Sequence, residues 1–164
     1  MKVKIKNNGM TLLELLIVIA IITIMVSMVF MATRGGWINA NARQTDGTIS
    51  LLEGAIDDYR DFMGVFPEPN ALLTVGFSSP DICHSASLYF LLNSVPDSKK
   101  ILERISDLQL APIKVGSQTY YVFIDAWKQA LDYRYTAGNT YPVIVSAGPD
   151  KDFAKTDDNI TNRK

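Results

Sequence analysis

The pattern of hydrophobic and polar positions begins with a long apolar run. Residues 10–33 contain a single ionisable side chain, that of Glu14. As a helix this run would reach about 36 Å, which is enough to cross the hydrocarbon core of a bilayer. The sequence therefore predicts a transmembrane helix at 10–33. Glu14 is a candidate functional residue because a carboxylate is costly to bury in lipid.

The apolar positions then change to a helical stripe. Their spacings alternate between three and four residues, at Ile49, Leu52, Ile56, Tyr59 and Met63. This period predicts that the helix continues as an amphipathic helix and covers a small sheet. We expect Gly35 and Gly36 to loosen the helix locally. Glycine and proline in "GVFPEP" are expected to end it near residue 64.

Shorter elements are predicted farther along. "SASLYFLLNSV" and "DSKKILERISDL" read as short helices, the first capped by Ser85 and the second by Asp97 or Ser98. Aromatic and β-branched residues predict strands at 119–124, 132–136 and 141–146, paired as antiparallel hairpins. The predicted fold class is α+β, with a long N-terminal helix packed on a small antiparallel β-sheet.

The distribution of charge predicts how the chain is oriented in the membrane. The net charge is −1, and Lys2, Lys4 and Lys6 all precede the apolar run. By the positive-inside rule this places the N-terminus in the cytoplasm and the bulk of the chain across the membrane. The balance also excludes a generally basic protein that coats nucleic acid.

The candidate chemistry does not favour an enzyme. The chain has one histidine and one cysteine, so no intramolecular disulfide can form. Cys83 and His84 have no further Cys or His with which to form a transition-metal site. The chain also lacks a glycine-rich phosphate loop and a pair of nucleophile and base. We therefore expect no enzymatic activity.

The start of the chain resembles the type IV pilin-like proteins, which include type IV pilins and the pseudopilins of type II secretion systems. The similar features are a basic leader ending in Gly9, then Met10-Thr11-Leu12-Leu13-Glu14, then the apolar helix. The resemblance implies a pilin-like fold, cleavage by prepilin peptidase after Gly9, and N-methylation of Met10. The segments would be a leader at 1–9, a transmembrane helix at 10–33 and a periplasmic globular domain at 34–164.

This processing gives Glu14 a purpose. Cleavage would create a cationic amine at Met10, four residues before the acid. In a filament of staggered subunits, that amine could neutralise the Glu14 carboxylate of a neighbour and favour the correct axial register. The competing interpretation is a plain signal anchor, in which Gly9 and Glu14 have no role.

A second candidate site is the acidic loop, "SAGPDKDFAKTDDNI", at residues 146–160. It carries four carboxylates, on Asp150, Asp152, Asp157 and Asp158. Calcium takes about six to eight oxygen ligands, so a loop of this composition can close around the ion, although its spacing is not that of an EF-hand. A solvated acidic turn without metal is the alternative.

The C-terminal region resembles that of the major pseudopilin of type II secretion systems. The similar residues of the first motif, Asp-x-Trp, are Asp125 and Trp127. Those of the acidic loop are Ser146, Gly148, Asp150, Asp157, Asp158 and Ile160. The resemblance implies structural Ca²⁺. The expected ligands are Asp150 and Asp157, then Asp152 and Asp158, and the Ser146 carbonyl.

The sequence is interpreted as a structural subunit of a periplasmic pseudopilus in type II protein secretion, in the bacterial inner membrane before assembly. The resemblance implies the partners: copies of itself, other pseudopilins, prepilin peptidase, membrane lipid, and an inner-membrane assembly platform with a cytoplasmic ATPase. No nucleic acid is expected. Two alternatives remain open. One is a type IV pilus subunit for adhesion, motility or DNA uptake, and the other is a membrane-anchored, calcium-dependent binding module.

Overall fold

A computed structural model describes residues 12–163, with the backbone alone for residues 31–35. Among these residues the elements are a long helix, α1 (Leu12–Met63), then two shorter α-helices, then five strands, with short 3-10 helices at Leu73–Val75 and Asp107–Gln109. The chain divides into two compact units after Ile38. The helix is continuous through Gly35 and Gly36, so the expected local loosening is wrong.

The first unit contains the candidate membrane span of α1. Leu12–Phe30 comprises 19 residues with a mean hydropathy of 2.8, and none of it is buried inside the protein. The hydroxyl of Thr23 donates to the carbonyl of Ala20 at 2.8 Å, and that of Ser27 donates to the carbonyl of Thr23 at 2.7 Å. Such bonds within the helix satisfy polar groups that lipid cannot satisfy. By length and composition the segment can cross a bilayer.

In the second unit α1 buries the predicted apolar stripe. Ile49, Leu52, Ile56 and Tyr59 are at most 4% exposed, whereas Met63 is 50% exposed because the helix ends at this residue. The stripe is therefore confirmed except at Met63. The chain leaves the helix through Gly64, whose φ is 75° and whose N–H donates to the Arg60 carbonyl at 2.7 Å. A left-handed glycine of this kind is a common helix end.

The two shorter helices begin at prolines and not at the predicted caps. They are α2 (Pro80–Leu92) and α3 (Pro96–Leu102), and the residues before them are Ser79 and Val95. Proline suits the first helical position because its fixed φ is helical and the missing N–H has no partner there.

The serines expected as caps are instead buried contacts. The Ser85 hydroxyl donates to the Phe123 carbonyl at 3.2 Å and accepts from the Phe123 N–H at 2.8 Å. The Ser98 hydroxyl donates to the Ala55 carbonyl of α1 at 2.9 Å. Both capping predictions are wrong because these hydroxyls satisfy backbone groups of other elements.

The strands form two small antiparallel sheets. The order is β1–β2 in the first sheet and β3–β4–β5 in the second. The bounds are β1 (Leu110–Val115), β2 (Gln118–Phe123), β3 (Asp132–Arg134), β4 (Val143–Ser146) and β5 (Ile160–Thr161). A bridge between Ile124 and Ala130 and a 2.9 Å bond from the Leu131 N–H to the Phe123 carbonyl connect the end of β2 to the start of β3.

Strands β2, β3 and β4 lie where the sequence predicts them, and β3 pairs with β4 as predicted. β1 and β5 were not predicted, and β2 pairs with β1 and not with a predicted strand. β1 contains Pro112, which a sheet accepts because β1 is an edge strand. Helix α2 packs on β2 and β3. The main core joins the stripe of α1 to Leu88 and Leu92 of α2 and to Phe123 and Tyr133 of the sheets. The predicted α+β, pilin-like arrangement is confirmed, with two sheets in place of one.

Candidate functional site

The predicted processing site lies at the start of α1. Gly9 and Met10 are outside the described residues, and Glu14 lies in the first turn of the helix. Glu14 is exposed, as are the apolar residues that follow it. The start of the helix therefore presents one acid followed by an apolar surface.

The second site is built around a turn that connects β2 to β3. This Asp125 turn, residues 124–130, is organised by one carboxylate that is 1% exposed. Asp125 Oδ1 accepts hydrogen bonds from the N–H groups of Trp127 and Gln129, both at 2.9 Å. The turn also contacts α1, because the Ala126 N–H donates to Thr45 Oγ1 at 3.2 Å. The Asp-x-Trp motif is thus a carboxylate-stabilised turn packed on the long helix.

The same carboxylate holds the start of the acidic loop. The Ser146 hydroxyl donates to Asp125 Oδ2 at 2.7 Å and accepts from the Gly148 N–H at 3.1 Å. Burial raises the pKa of the Asp125 carboxyl, and the bonds from Gln129, Ser146 and Trp127 partly oppose that rise. Since the hydroxyl of Ser146 is already used, only its carbonyl remains as a candidate metal ligand. The hydrogen bond between the two motifs was not predicted, because 21 residues separate Asp125 from Ser146.

The two ends of the acidic loop touch at Gly148. Its φ is 71°, and a Cβ built on it would collide with the Asp158 carbonyl. Glycine is required there for two reasons, the left-handed backbone and the close approach. The loop is therefore closed at its base by backbone contact between residues 148 and 158.

Within the loop, two of the predicted ligands already form ion pairs with a lysine side chain. The Lys155 ammonium lies 3.2 Å from Asp150 Oδ2 and 3.6 Å from Asp152 Oδ2. Their other oxygens accept from backbone, Asp150 Oδ1 from the Asp152 N–H and Asp152 Oδ1 from the Ala154 N–H. The backbone bond from Asp152, aided by Lys155, lowers the pKa of Asp150. Bonding to Asp150 raises the pKa of Lys155.

The structure does not gather all the predicted acids at one point. Within residues 12–163 no group of three or more His, Cys, Asp or Glu side chains is close enough to hold a metal ion. Asp150 and Asp152 face Lys155, Asp157 is exposed, and the backbone of Asp158 lies against Gly148. The donors are carboxylate and carbonyl oxygens, which suit Ca²⁺. An ion there would combine a pair of carboxylates with backbone carbonyls and would displace the ammonium.

One ionic cluster was not predicted. His84 Nδ1 lies 2.7 Å from Asp132 Oδ1, and Arg134 Nε donates to Asp132 Oδ2. The Asp132 side chain is 8% exposed, so this pairing satisfies a buried carboxylate where α2 meets β3. His84 therefore has a structural role, as a partner of the buried Asp132 carboxylate. No sequence signal connects residues so far apart.

Comparison with known proteins gives one match. Residues 4–30 fit the family model described as the prokaryotic N-terminal methylation motif. Neither curated proteins nor solved structures gave a significant match. The motif is the type IV pilin-like prepilin signal, and it supports cleavage by prepilin peptidase and assembly with other pilin-like subunits. Pilin-like proteins with this motif are structural subunits and not enzymes. The apolar helix at Leu12–Phe30 suits a membrane-anchored protein of this class.

Proposed function

We propose that the protein is a structural subunit of a periplasmic pseudopilus in type II protein secretion. One observation carries the proposal. The methylation motif at residues 4–30 includes the start of α1, with Glu14 in the first turn of the helix. Cleavage after Gly9 and methylation of Met10 would leave a cationic N-terminus close to that acid. The globular unit would lie in the periplasm and the apolar segment in the inner membrane until assembly.

Assembly follows from the electrostatics of the helix start. A carboxylate within the hydrocarbon layer is destabilised by roughly 2.5 to 3.5 kcal/mol at the helix centre and by less near the interface. An amine from a neighbouring subunit would neutralise it, so the paired register is favoured over others. The inner-membrane platform and a cytoplasmic ATPase would supply the driving force. Other pseudopilins would occupy defined positions in the same filament.

The acidic loop supports a pseudopilin over a type IV pilus subunit. Cys83 is buried and is the only cysteine, so no disulfide can fix the C-terminal region. The bond from Ser146 to Asp125 and the contact of Gly148 with Asp158 fix it instead. This non-covalent closure resembles the calcium-dependent loop of the major pseudopilin.

We propose in addition that this loop binds one structural Ca²⁺. Asp150 and Asp157 would be the principal ligands, with contributions from Asp152, Asp158 and the Ser146 carbonyl. A bound ion stabilises the folded state by mass action, since the unfolded loop has no site. Its function would be structural, to hold the ends of the loop together without a disulfide.

Intact mass of the native protein tests the processing. We expect a chain that begins at N-methylated Met10 when the protein is extracted from its own membrane. A chain that still begins at Met1 would refute the filament function and favour the membrane-anchored, calcium-dependent binding module.

Substitution of Glu14 tests assembly. We expect Glu14→Ala to abolish filaments while the protein remains in the membrane, because the acid is needed for pairing and not for insertion. Thr23→Ala is the matched control, since it removes a polar group of the same helix without removing charge. A strain that lacks this protein distinguishes the two kinds of filament. Loss of exoprotein secretion in that strain would identify the secretion pseudopilus. Loss of motility, adhesion or DNA uptake with secretion intact would instead identify a pilus subunit.

Melting of a soluble fragment that begins near Ala40 tests calcium. We expect a chelator to lower its melting temperature and Asp150→Asn with Asp157→Asn to remove the effect. Asp107→Asn, outside the loop, is the matched control. Equal melting with calcium and with chelator would refute the metal site and leave the filament proposal intact.

A further inference from the structure

An open cavity lies between α1 and the C-terminal segment. Its volume is about 370 Å³, and Ala42, Arg43, Asp46, Ile160 and Arg163 line it. Two arginines oppose one aspartate, so the cavity favours an anionic side chain, and Ala42 and Ile160 add apolar surface. We call it the arginine cavity.

A surface of opposite character lies near the end of α1. Phe62, Met63 and Val65 are 65%, 50% and 61% exposed. Asp58, Asp61 and Asp97 adjoin Phe62. Lys100 pairs with Asp97 at 2.7 Å, which leaves the surface net negative. Adjacent exposed apolar residues rimmed by charge are typical of interaction sites. We call this the acidic-aromatic surface.

These two surfaces cannot meet within one molecule. Arg43 and Phe62 lie on the same continuous helix, which separates them by about 28 Å at 1.5 Å per residue. Contact between them therefore requires two copies. A contact between two different patches of the same chain is heterologous, and it generates rings or open helical filaments.

We propose that the acidic-aromatic surface of one copy occupies the arginine cavity of a second copy. This inference rests on the proposed filament function. It specifies which faces of the globular unit touch, for two copies offset by about 28 Å along the helix. The surface that enters the cavity consists of the Phe62 ring and its neighbouring carboxylates.

Charge and size support this occupant. Within residues 12–163, no ion pair is made by the Arg43 guanidinium or by the Asp61 carboxylate. Arginine and carboxylate can form two parallel hydrogen bonds, which fix orientation as well as adding attraction. The cavity volume equals that of about a dozen water molecules at roughly 30 Å³ each. That is enough for an aromatic ring together with a carboxylate.

Charge reversal in the full-length protein, expressed with its own assembly machinery, tests the contact. Arg43→Glu or Asp61→Arg alone should lower the yield of sheared filaments about tenfold, which corresponds to roughly 1.4 kcal/mol. The double variant should restore the yield to within about twofold of wild type because it re-forms the pair in reverse. Lys114→Glu reverses an exposed charge that lines neither surface, and it should leave the yield unchanged.

Disulfide capture tests the geometry. A chain with both Arg43→Cys and Asp61→Cys should give a ladder of cross-linked multimers under mild oxidation. Either single variant should give no ladder, because a heterologous contact pairs unlike positions. The native Cys83 is buried, and the parent chain is the control for its reactivity. Dimers from a single variant would indicate a self-symmetric contact and overturn the proposal.

The outcomes separate this inference from the filament function. Normal filaments from Arg43→Glu, with filaments still lost in Glu14→Ala, would overturn the contact alone. Failure of the double reversal to restore the yield, together with no ladder in assembled filaments, would also overturn it. Absence of filaments from the wild-type chain would refute the filament function itself, and the contact with it.

Discussion

Asp125 offers the sharpest test of the C-terminal structure. Asp125→Ala would leave three donors without an acceptor, the N–H groups of Trp127 and Gln129 and the hydroxyl of Ser146. Each lost bond costs about 1 kcal/mol or more, so we expect the free energy of unfolding to fall by about 3 kcal/mol. Asp125→Asn keeps an acceptor for both N–H groups and removes a buried charge, so its expected cost is about 1 kcal/mol.

Urea denaturation of the fragment from Ala40 measures both variants. With a slope of about 1.5 kcal/mol per molar urea, Asp125→Ala should lower the midpoint by about 2 M. Because burial raises the pKa of Asp125, the folded state binds the proton more tightly than the unfolded state. Wild type should therefore gain stability relative to Asp125→Asn as pH falls through the folded pKa toward 3.8. Equal midpoints for the two variants, or a shift below about 0.5 M for Asp125→Ala, would refute the reasoning.

Three further outcomes follow from single contacts. Gly148→Ala should destabilise the fragment by about 2 kcal/mol or more, whereas Gly116→Ala should destabilise it by about 1 kcal/mol. Both glycines have positive φ, but only at Gly148 would the added Cβ collide with a backbone carbonyl. Tyr133→Phe should cost about 1 kcal/mol in urea midpoints, because it leaves the buried Pro67 carbonyl without its donor at 2.9 Å. If the loop binds calcium, Lys155→Met should tighten binding in a titration by removing the competing ammonium; weaker binding would contradict the assignment of Asp150 and Asp152.

The helical parts could be predicted because their signals are local. An apolar run of membrane length and a stripe with period 3.6 specify α1 from neighbouring residues alone, and Gly64 specifies its end. The same holds for β2, β3 and β4, whose composition identifies them as strands. Met63 belongs to the stripe by spacing but lies in the last position of the helix, where the core no longer covers it.

The remaining features depend on contacts between distant residues. Ser85 and Ser98 have the composition of helix caps, but their hydroxyls satisfy carbonyls of β2 and α1. β1 contains a proline, which weakens any strand signal until the strand is known to lie at an edge. β5 consists of two residues and is a strand only because β4 pairs with it. Sequence spacing contains no information about such pairings.

The structure also connects the acidic loop to the proposed subunit contact. Segments on both sides of the loop contact α1. The Asp125 turn, to which Ser146 is bonded, does so through the Ala126 N–H to Thr45 at 3.2 Å, and the segment after the loop does so through the Asn162 amide to Glu53 at 3.1 Å. Residues 159–163, which follow the loop acids, form one wall of the arginine cavity. A bound ion that ordered residues 150–158 would therefore also order that wall. If both proposals hold, this shared segment couples them, because any order that a bound ion gives the wall need not be supplied again when a neighbour binds.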